Sequence, residues 1–230
     1  MITERAAVGQ VNLYYDLYVP DEGGHADRPL VIALHGYEGN KESMMAKMRA
    51  INSADFMIAS LQGPNGFFAR DGRGGSTPKI GFGWMMQYKS EDTIRLHHQT
   101  VLAIIDAVDR EYGLDRSAIF LVGFSQSVSL NYRFAFTHPG TIRGVVAVCG
   151  GIPGDWDQPK YINSNTDVLI IAGERDEFYP LDRTRTFKGA LERRAKSVEF
   201  QSFSGGHVFP NEMLARIDQW LLARIAAVAR

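Results

Sequence analysis

A serine hydroxyl is a poor nucleophile at neutral pH, so a chain that uses one must also carry a base for its proton and a carboxylate to hold that base. Ser125, Asp176 and His207 have the types and the order for such a set. Ser125 stands in Gly123-Phe124-Ser125-Gln126-Ser127, between the apolar run Ala118 to Val122 and a segment with helical periodicity. A strand-to-helix turn there lifts the hydroxyl clear of the sheet edge, and the Gln126 amide opens the next helix facing any developing oxyanion. The pentapeptide alone is a weak signal, because short Gly/Ser patterns are common in loops. Its context strengthens it: Asp176 follows the apolar run Val168 to Ala172, and His207 follows the strand-like Val198 to Phe203 in Gly205-Gly206-His207. In this set His207 takes the Ser125 proton and returns it to the leaving group, while Asp176 fixes the His207 tautomer and stabilises the imidazolium. Asp155, in Gly154-Asp155-Trp156-Asp157, also follows an apolar run and competes for the role of the acid.

Three residues so far apart in sequence can meet only if their strands end on one sheet edge. Leu30 to Leu34, Phe56 to Leu61, Ala118 to Val122, Val145 to Val148 and Val168 to Ala172 are continuous apolar runs, the pattern of parallel strands covered on both faces. Helical patterns alternate with them at Lys41 to Ala54, Gln126 to Thr137, Thr184 to Lys196 and Asn211 to Val228. The clearest helix opens at Ser90 as N-cap, with Glu91 and Asp92 in its first turn, and closes at Gly113. Apolar alternation at Leu13, Tyr15, Leu17 and Val19 predicts an antiparallel edge strand, stopped by Pro20 and the Gly23-Gly24 loop. The expected architecture is one α/β domain over residues 1–230: a doubly wound, mostly parallel sheet with helices on both faces and no inserted cap domain.

In such a sheet functional groups gather beyond the carboxyl ends of the strands. The first buried strand ends in Leu34-His35-Gly36-Tyr37, a turn suited to supplying a second oxyanion donor, so the expected pair is the backbone amides of Tyr37 and Gln126. His35, directly at the strand end before glycine, reads as a structural hydrogen-bonding residue rather than a base. The glycine-rich stretch Gln62 to Lys89 has no clear periodicity and carries Phe67, Phe68, Trp84, Met85 and Met86. A loop that long is usually functional, with disorder or a poorly patterned helix as the alternatives. Phe67, Trp84 and Met85 are therefore candidate substrate contacts, and Trp156 either lines the pocket or simply packs. Of His97 and His98, one is expected to face the core and the other solvent.

The 25 Lys+Arg and 26 Asp+Glu are nearly balanced, which argues against a nucleic-acid footprint, a polybasic membrane surface or a polyanionic substrate. The single cysteine, Cys149, forbids an internal disulfide and sits in an apolar run, as expected of a buried residue in a reducing cytoplasm. The start Met1-Ile2-Thr3-Glu4-Arg5 lacks the apolar core of a signal peptide, and no run approaches the ~20 apolar residues of a membrane span. A cytoplasmic protein without stable membrane association is predicted. No metal-ligand spacing is present, so no metal is expected.

Taken together, Leu34-His35-Gly36, Gly83-Trp84, Gly123-Phe124-Ser125-Gln126, Gly151-Ile152-Pro153, Gly173 to Asp176 with Pro180, and Gly206-His207 resemble the α/β-hydrolase fold and, within it, the phospholipase/carboxylesterase group that includes acyl-protein thioesterases. The resemblance spans nearly the whole chain. It implies a serine esterase acting through an acyl-enzyme on a small-molecule ester, with no cofactor, as a monomer or homodimer; the connection from Cys149 to Thr166 is too short for a helical cap, so a short- to medium-chain ester is expected. Thioesterase, protein deacylase or lysophospholipase activity is the alternative within enzymes, and a ligand receptor with little turnover is the alternative outside them. Ser127 stands where the family typically has glycine, and its side chain is expected to move the following helix slightly outward.

Overall fold

Leu30-Val31-Ile32-Ala33-Leu34 is divided by the pleat between two cores: Leu30, Ile32 and Leu34 pack on one face of a sheet, Val31 and Ala33 on the other. The same two-sided burial applies to each central strand and explains why these runs are apolar without interruption. The computed structural model of the protein describes residues 2–7, 9–20, 28–51, 56–69 and 79–226. Its strands are β1 (Tyr15–Tyr18), β2 (Arg28–Leu34), β3 (Met57–Leu61), β4 (Asn65–Ala69), β5 (Lys79–Gly83), β6 (Leu114–Phe124), β7 (Gly144–Val148), β8 (Asp167–Gly173) and β9 (Ser197–Phe203). Seven of them form one sheet in the order β1-β3-β2-β6-β7-β8-β9. Every pairing in it is parallel except that of β1 with β3, which makes β1 the expected antiparallel edge.

Two helices cover one face and three the other. On the first lie α1 (Lys41–Ile51) and α5 (Leu214–Ala226), through Met44, Met48, Ile217 and Trp220. On the second lie α2 (Ser90–Tyr112), α3 (Gln126–Thr137) and α4 (Leu181–Glu192), through Val101, Ile105, Leu130, Phe134 and Leu191. Gly113 closes α2 with φ 75°, a backbone that costs a glycine nothing. At the other end Ser90 is the first helical residue rather than the N-cap, because the turn before it is made by Lys89 at φ 53°. Helix α4 starts at Leu181, earlier than expected, with Pro180 at its N-cap. The expected ends of α1 at Ala54 and of α5 at Val228 lie outside the described residues, as does the Gly23-Gly24 loop.

The stretch Gln62 to Lys89 contains a feature that the sequence pattern concealed. β4 and β5 pair antiparallel as a separate two-stranded ribbon, with Gly66 opposite Phe82 and Phe67 opposite Gly81. A bridge from Phe82 to Gly39 fixes this ribbon to the turn after β2. Among the described residues no helix is long and apolar enough to cross a membrane.

Candidate active site

The register Leu34↔Gly123 brings the end of β2 level with the end of β6, so His35-Gly36-Tyr37 runs beside Phe124-Ser125-Gln126. Approach is close enough that a Cβ on Gly36 would lie 2.6 Å from the Phe124 ring and 3.3 Å from Ser125 Cβ, which only glycine avoids. Ser125 itself has φ 56° and ψ −115°, a sparsely populated conformation for a residue with a side chain. It is held there from both sides: its amide donates to Val148 O at 2.9 Å and its carbonyl accepts from Val128 N at 3.1 Å. Ser127 is fully buried and takes up room left by the missing side chain of Gly123, whose Cβ would lie 3.1 Å from the Ser127 hydroxyl. That hydroxyl accepts from Phe124 N at 3.1 Å, and its oxygen lies 3.0 Å from each of two acceptors for its one proton, Leu34 O and Phe124 O. The departure from glycine therefore ties the first turn of α3 to β2 and β6.

Beyond the ends of β6, β8 and β9 the three widely spaced residues converge. Ser125 Oγ lies 2.8 Å from His207 Nε2, and His207 Nδ1 lies 2.9 Å from Asp176 Oδ2. The second oxygen, Asp176 Oδ1, accepts the amides of Phe178 and Tyr179 at 2.9 Å each. With both oxygens occupied the carboxylate cannot rotate, and with Nδ1 donating, Nε2 is left as the acceptor that a serine proton requires. Phe124, Phe178 and Tyr179 surround the imidazole, with ring centroids at 5.1, 4.8 and 5.8 Å. Asp155, the competing acid, pairs instead with Arg133 at 2.8 Å and Lys160 at 2.7 Å. Although burial alone would raise it, hydrogen bonds from Lys160 and Arg133 hold the Asp155 carboxyl well below the usual carboxylate range.

Gln126 is the first residue of α3, so its amide has no partner within the helix. Its side chain does something the sequence gave no sign of: Oε1 accepts Trp84 N at 2.7 Å and Nε2 donates to Met85 O at 3.3 Å, fastening the segment after β5 onto the elbow. Tyr37 follows Gly36 in a turn closed by Gly39 N to Gly36 O at 3.1 Å, and its ring, 58 % exposed, stacks on Phe67 at 4.8 Å.

A cavity of about 750 Å³ opens at Ser125 and His207, within the usual size of small-molecule sites. Met85 lines it as expected, but most of its apolar wall comes from Ile152, Pro153, Phe178, Tyr179 and Phe187. Two expected contacts are corrected. Trp84 is 1 % exposed and donates its indole N–H to His35 O at 2.8 Å, and Trp156 is 3 % exposed and donates to Ala190 O at 3.2 Å. Both indoles bury their large apolar surface in the core, where a carbonyl also satisfies the N–H. Phe67 is a third correction: it buttresses Tyr37 from the β4–β5 ribbon and is not part of the cavity wall. Phe68 and Met86 are exposed.

His35 has the structural role expected of it. Its Nε2 accepts Gly63 N at 2.9 Å, its Nδ1 lies 2.7 Å from Gly36 O, and burial lowers its pKa. His97 is buried, as expected of one of the pair, and burial lowers it to about 3. His98 is half-buried rather than facing solvent, because Phe134 and His138 pack on it at 5.4 and 5.1 Å.

Among the described residues, one group of potential metal ligands has donor atoms within 4.8 Å of one another: Cys149, Asp176 and His207. Two of the three are already hydrogen-bonded to each other, and burial pushes the Cys149 thiol up to about 12, so at neutral pH it remains a protonated, weakly donating group. Cys149 is therefore expected to resist iodoacetamide in the folded protein at pH 8 and to react fully in guanidinium chloride. Intact-mass measurement reads both states, and rapid alkylation of the native protein would show the thiol to be ionised or accessible.

A profile described as phospholipase/carboxylesterase matches residues 21–225. A probable carboxylesterase SOBER1-like protein of Arabidopsis thaliana is 26 % identical over 141 residues, 60 % of this chain and 53 % of the relative. The putative esterase NocK of Nocardia uniformis subsp. tsuyamanensis is 25 % identical over 165 residues, 69 % of this chain and 43 % of its own length. The chain thus spans about half the length of these curated relatives. The crystal structure of a Bacillus cereus carboxylesterase superposes with a TM-score of 0.72 at 17 % identity, covering 92 % of this chain and 94 % of that one.

Proposed function

The chain belongs to the phospholipase/carboxylesterase family, which has the α/β-hydrolase fold, and on that premise we propose that it is a serine carboxylesterase acting through an acyl-enzyme. Ser125 attacks the ester carbonyl as His207 takes its proton, and the amides of Gln126 and Tyr37 stabilise the oxyanion. His207 then protonates the departing alcohol, and water releases the acyl group by the reverse sequence. Asp176 keeps the imidazole in the tautomer that can accept. The observation that carries this reading is the unbroken chain of hydrogen bonds from Ser125 Oγ to Asp176 at the mouth of the cavity. A receptor that turned over nothing would have no use for a strained serine held in line with a base.

The acyl chain is proposed to be short to medium. Ser129 and Arg133 lie four and eight residues beyond Ser125 on α3, and both line the cavity. At about 1.5 Å per residue, Arg133 Cα is ~12 Å along the helix axis from Ser125. An extended carbon chain advances roughly 1.2 Å per bond, so about ten bonds span that distance, and a chain much longer than that meets a guanidinium rather than an apolar floor. Over a p-nitrophenyl ester series, kcat/KM is expected to rise from acetate and peak at or below roughly eight carbons, each added CH₂ contributing up to ~0.8 kcal/mol. A maximum at twelve or more would favour a lipid or protein-deacylase reading.

A further inference from the structure

The cavity at Ser125 is lined by two cationic side chains, Arg133 and Arg183, and among the described residues no aspartate or glutamate lines it. The chain as a whole carries a formal charge of −1, so this is a local feature of the site. Arg133 is 9 % exposed. Its guanidinium is positioned through Nη1 by Asp155 at 2.8 Å and by the Tyr161 hydroxyl. Lys160 shares the same Asp155 carboxylate at 2.7 Å. A carboxylate is the group whose planar oxygens match a guanidinium fork. Arg183, exposed on α4 above the Phe187 ring at 6.0 Å, forms no ion pair among the described residues.

Building on the esterase reading above, we propose that the preferred substrates are esters whose acyl portion ends in a carboxylate, half-esters of dicarboxylic acids, with Arg133 binding that carboxylate and Arg183 attracting it at the cavity mouth. The ester carbonyl sits at Ser125 and the far carboxylate extends along α3 past Ser129. The apolar residues between them contact the intervening methylenes. This combination separates the site from one built for a plain aliphatic acyl chain, which would have no use for a second charged end.

The test compares matched pairs that differ only in a terminal carboxylate for a methyl: monoethyl adipate with ethyl hexanoate, and monoethyl suberate with ethyl octanoate, followed by ethanol release. A charge-assisted contact of this kind is expected to give the half-ester about a tenfold or greater advantage in kcat/KM in at least one pair, an advantage that shrinks with added salt. Arg183→Gln, at an exposed position, should reduce the ratio about threefold, and Arg133→Gln should bring it close to one. If neither half-ester exceeds its neutral partner in the wild type, the proposal is overturned whatever the variants do. Failure of the esterase reading looks different, since none of the four esters would then be cleaved. In that event calorimetry with Ser125→Ala still decides the arginine proposal: tighter binding of monoethyl suberate than of ethyl octanoate supports it, and equal binding overturns it.

Discussion

Ser125→Ala is expected to lower kcat on p-nitrophenyl butyrate on the order of 10⁶-fold, the size of loss seen when the nucleophile of a serine hydrolase set is removed. The magnitude follows from what remains. Without the hydroxyl, His207 can activate only a water molecule, and the two oxyanion amides are left to act on a reaction that no longer passes through an acyl-enzyme. No neighbour can substitute: Ser127 is fully buried with its hydroxyl bonded to backbone, and the Cys149 thiol stays protonated at neutral pH. A thermal melt of Ser125→Ala at or above the wild-type midpoint, together with the loss of turnover, assigns the effect to chemistry; retention of more than a hundredth of the activity would remove Ser125 from the role.

Asp176→Asn is expected to cost about 10⁴ in kcat, because an amide at this position can donate to Nδ1 and so favours the tautomer whose Nε2 carries the proton. The loss is large although one hydrogen bond changes sign in place, since Asp176 Oδ1 would still accept the amides of Phe178 and Tyr179 and the loop would keep its shape. Asp155→Asn on the same neutral ester should stay within about tenfold of wild type, its carboxylate serving Arg133 and Lys160 instead of His207. Measuring both variants side by side decides between the two acids, and the opposite ranking would transfer the role to Asp155.

Much of this arrangement was legible in the sequence because the physics that builds it is local and repetitive. Uninterrupted apolar runs of about five residues between turn signals have the length and pattern of strands buried on both faces, and once five of them alternate with helices, parallel order brings their carboxyl ends to one edge. Ser125, Asp176 and His207 each follow such a run or strand, so their convergence was implied before any coordinates. The β4–β5 ribbon was not legible: Gly66, Gly81 and Gly83 interrupt its alternation, and the strands are separated by residues with no pattern. Trp84 and Trp156 misled for another reason. An aromatic beside a catalytic motif reads equally well as pocket wall or as core, and the deciding facts, the carbonyls of His35 and Ala190 that receive the indole N–H groups, belong to the tertiary structure. Arg133 gave one faint signal, its eight-residue spacing from Ser125 through Ser129 on a single helix face, whereas Arg183 and Phe187 reach the cavity only through the way α4 docks. The acceptors that the Ser127 hydroxyl finds in Leu34 and Phe124 are another tertiary fact that no propensity would reveal.

The account depends most on Ser125 becoming covalently acylated, and mass spectrometry of the protein treated with a fluorophosphonate reports this directly. The wild type should gain one probe mass per chain, with fragmentation of the Gly123–Ser129 region placing it on Ser125 rather than Ser127 or Ser129, and Ser125→Ala should gain none. Modification of a different residue, or an unlabelled wild type that still hydrolyses p-nitrophenyl butyrate, would contradict it.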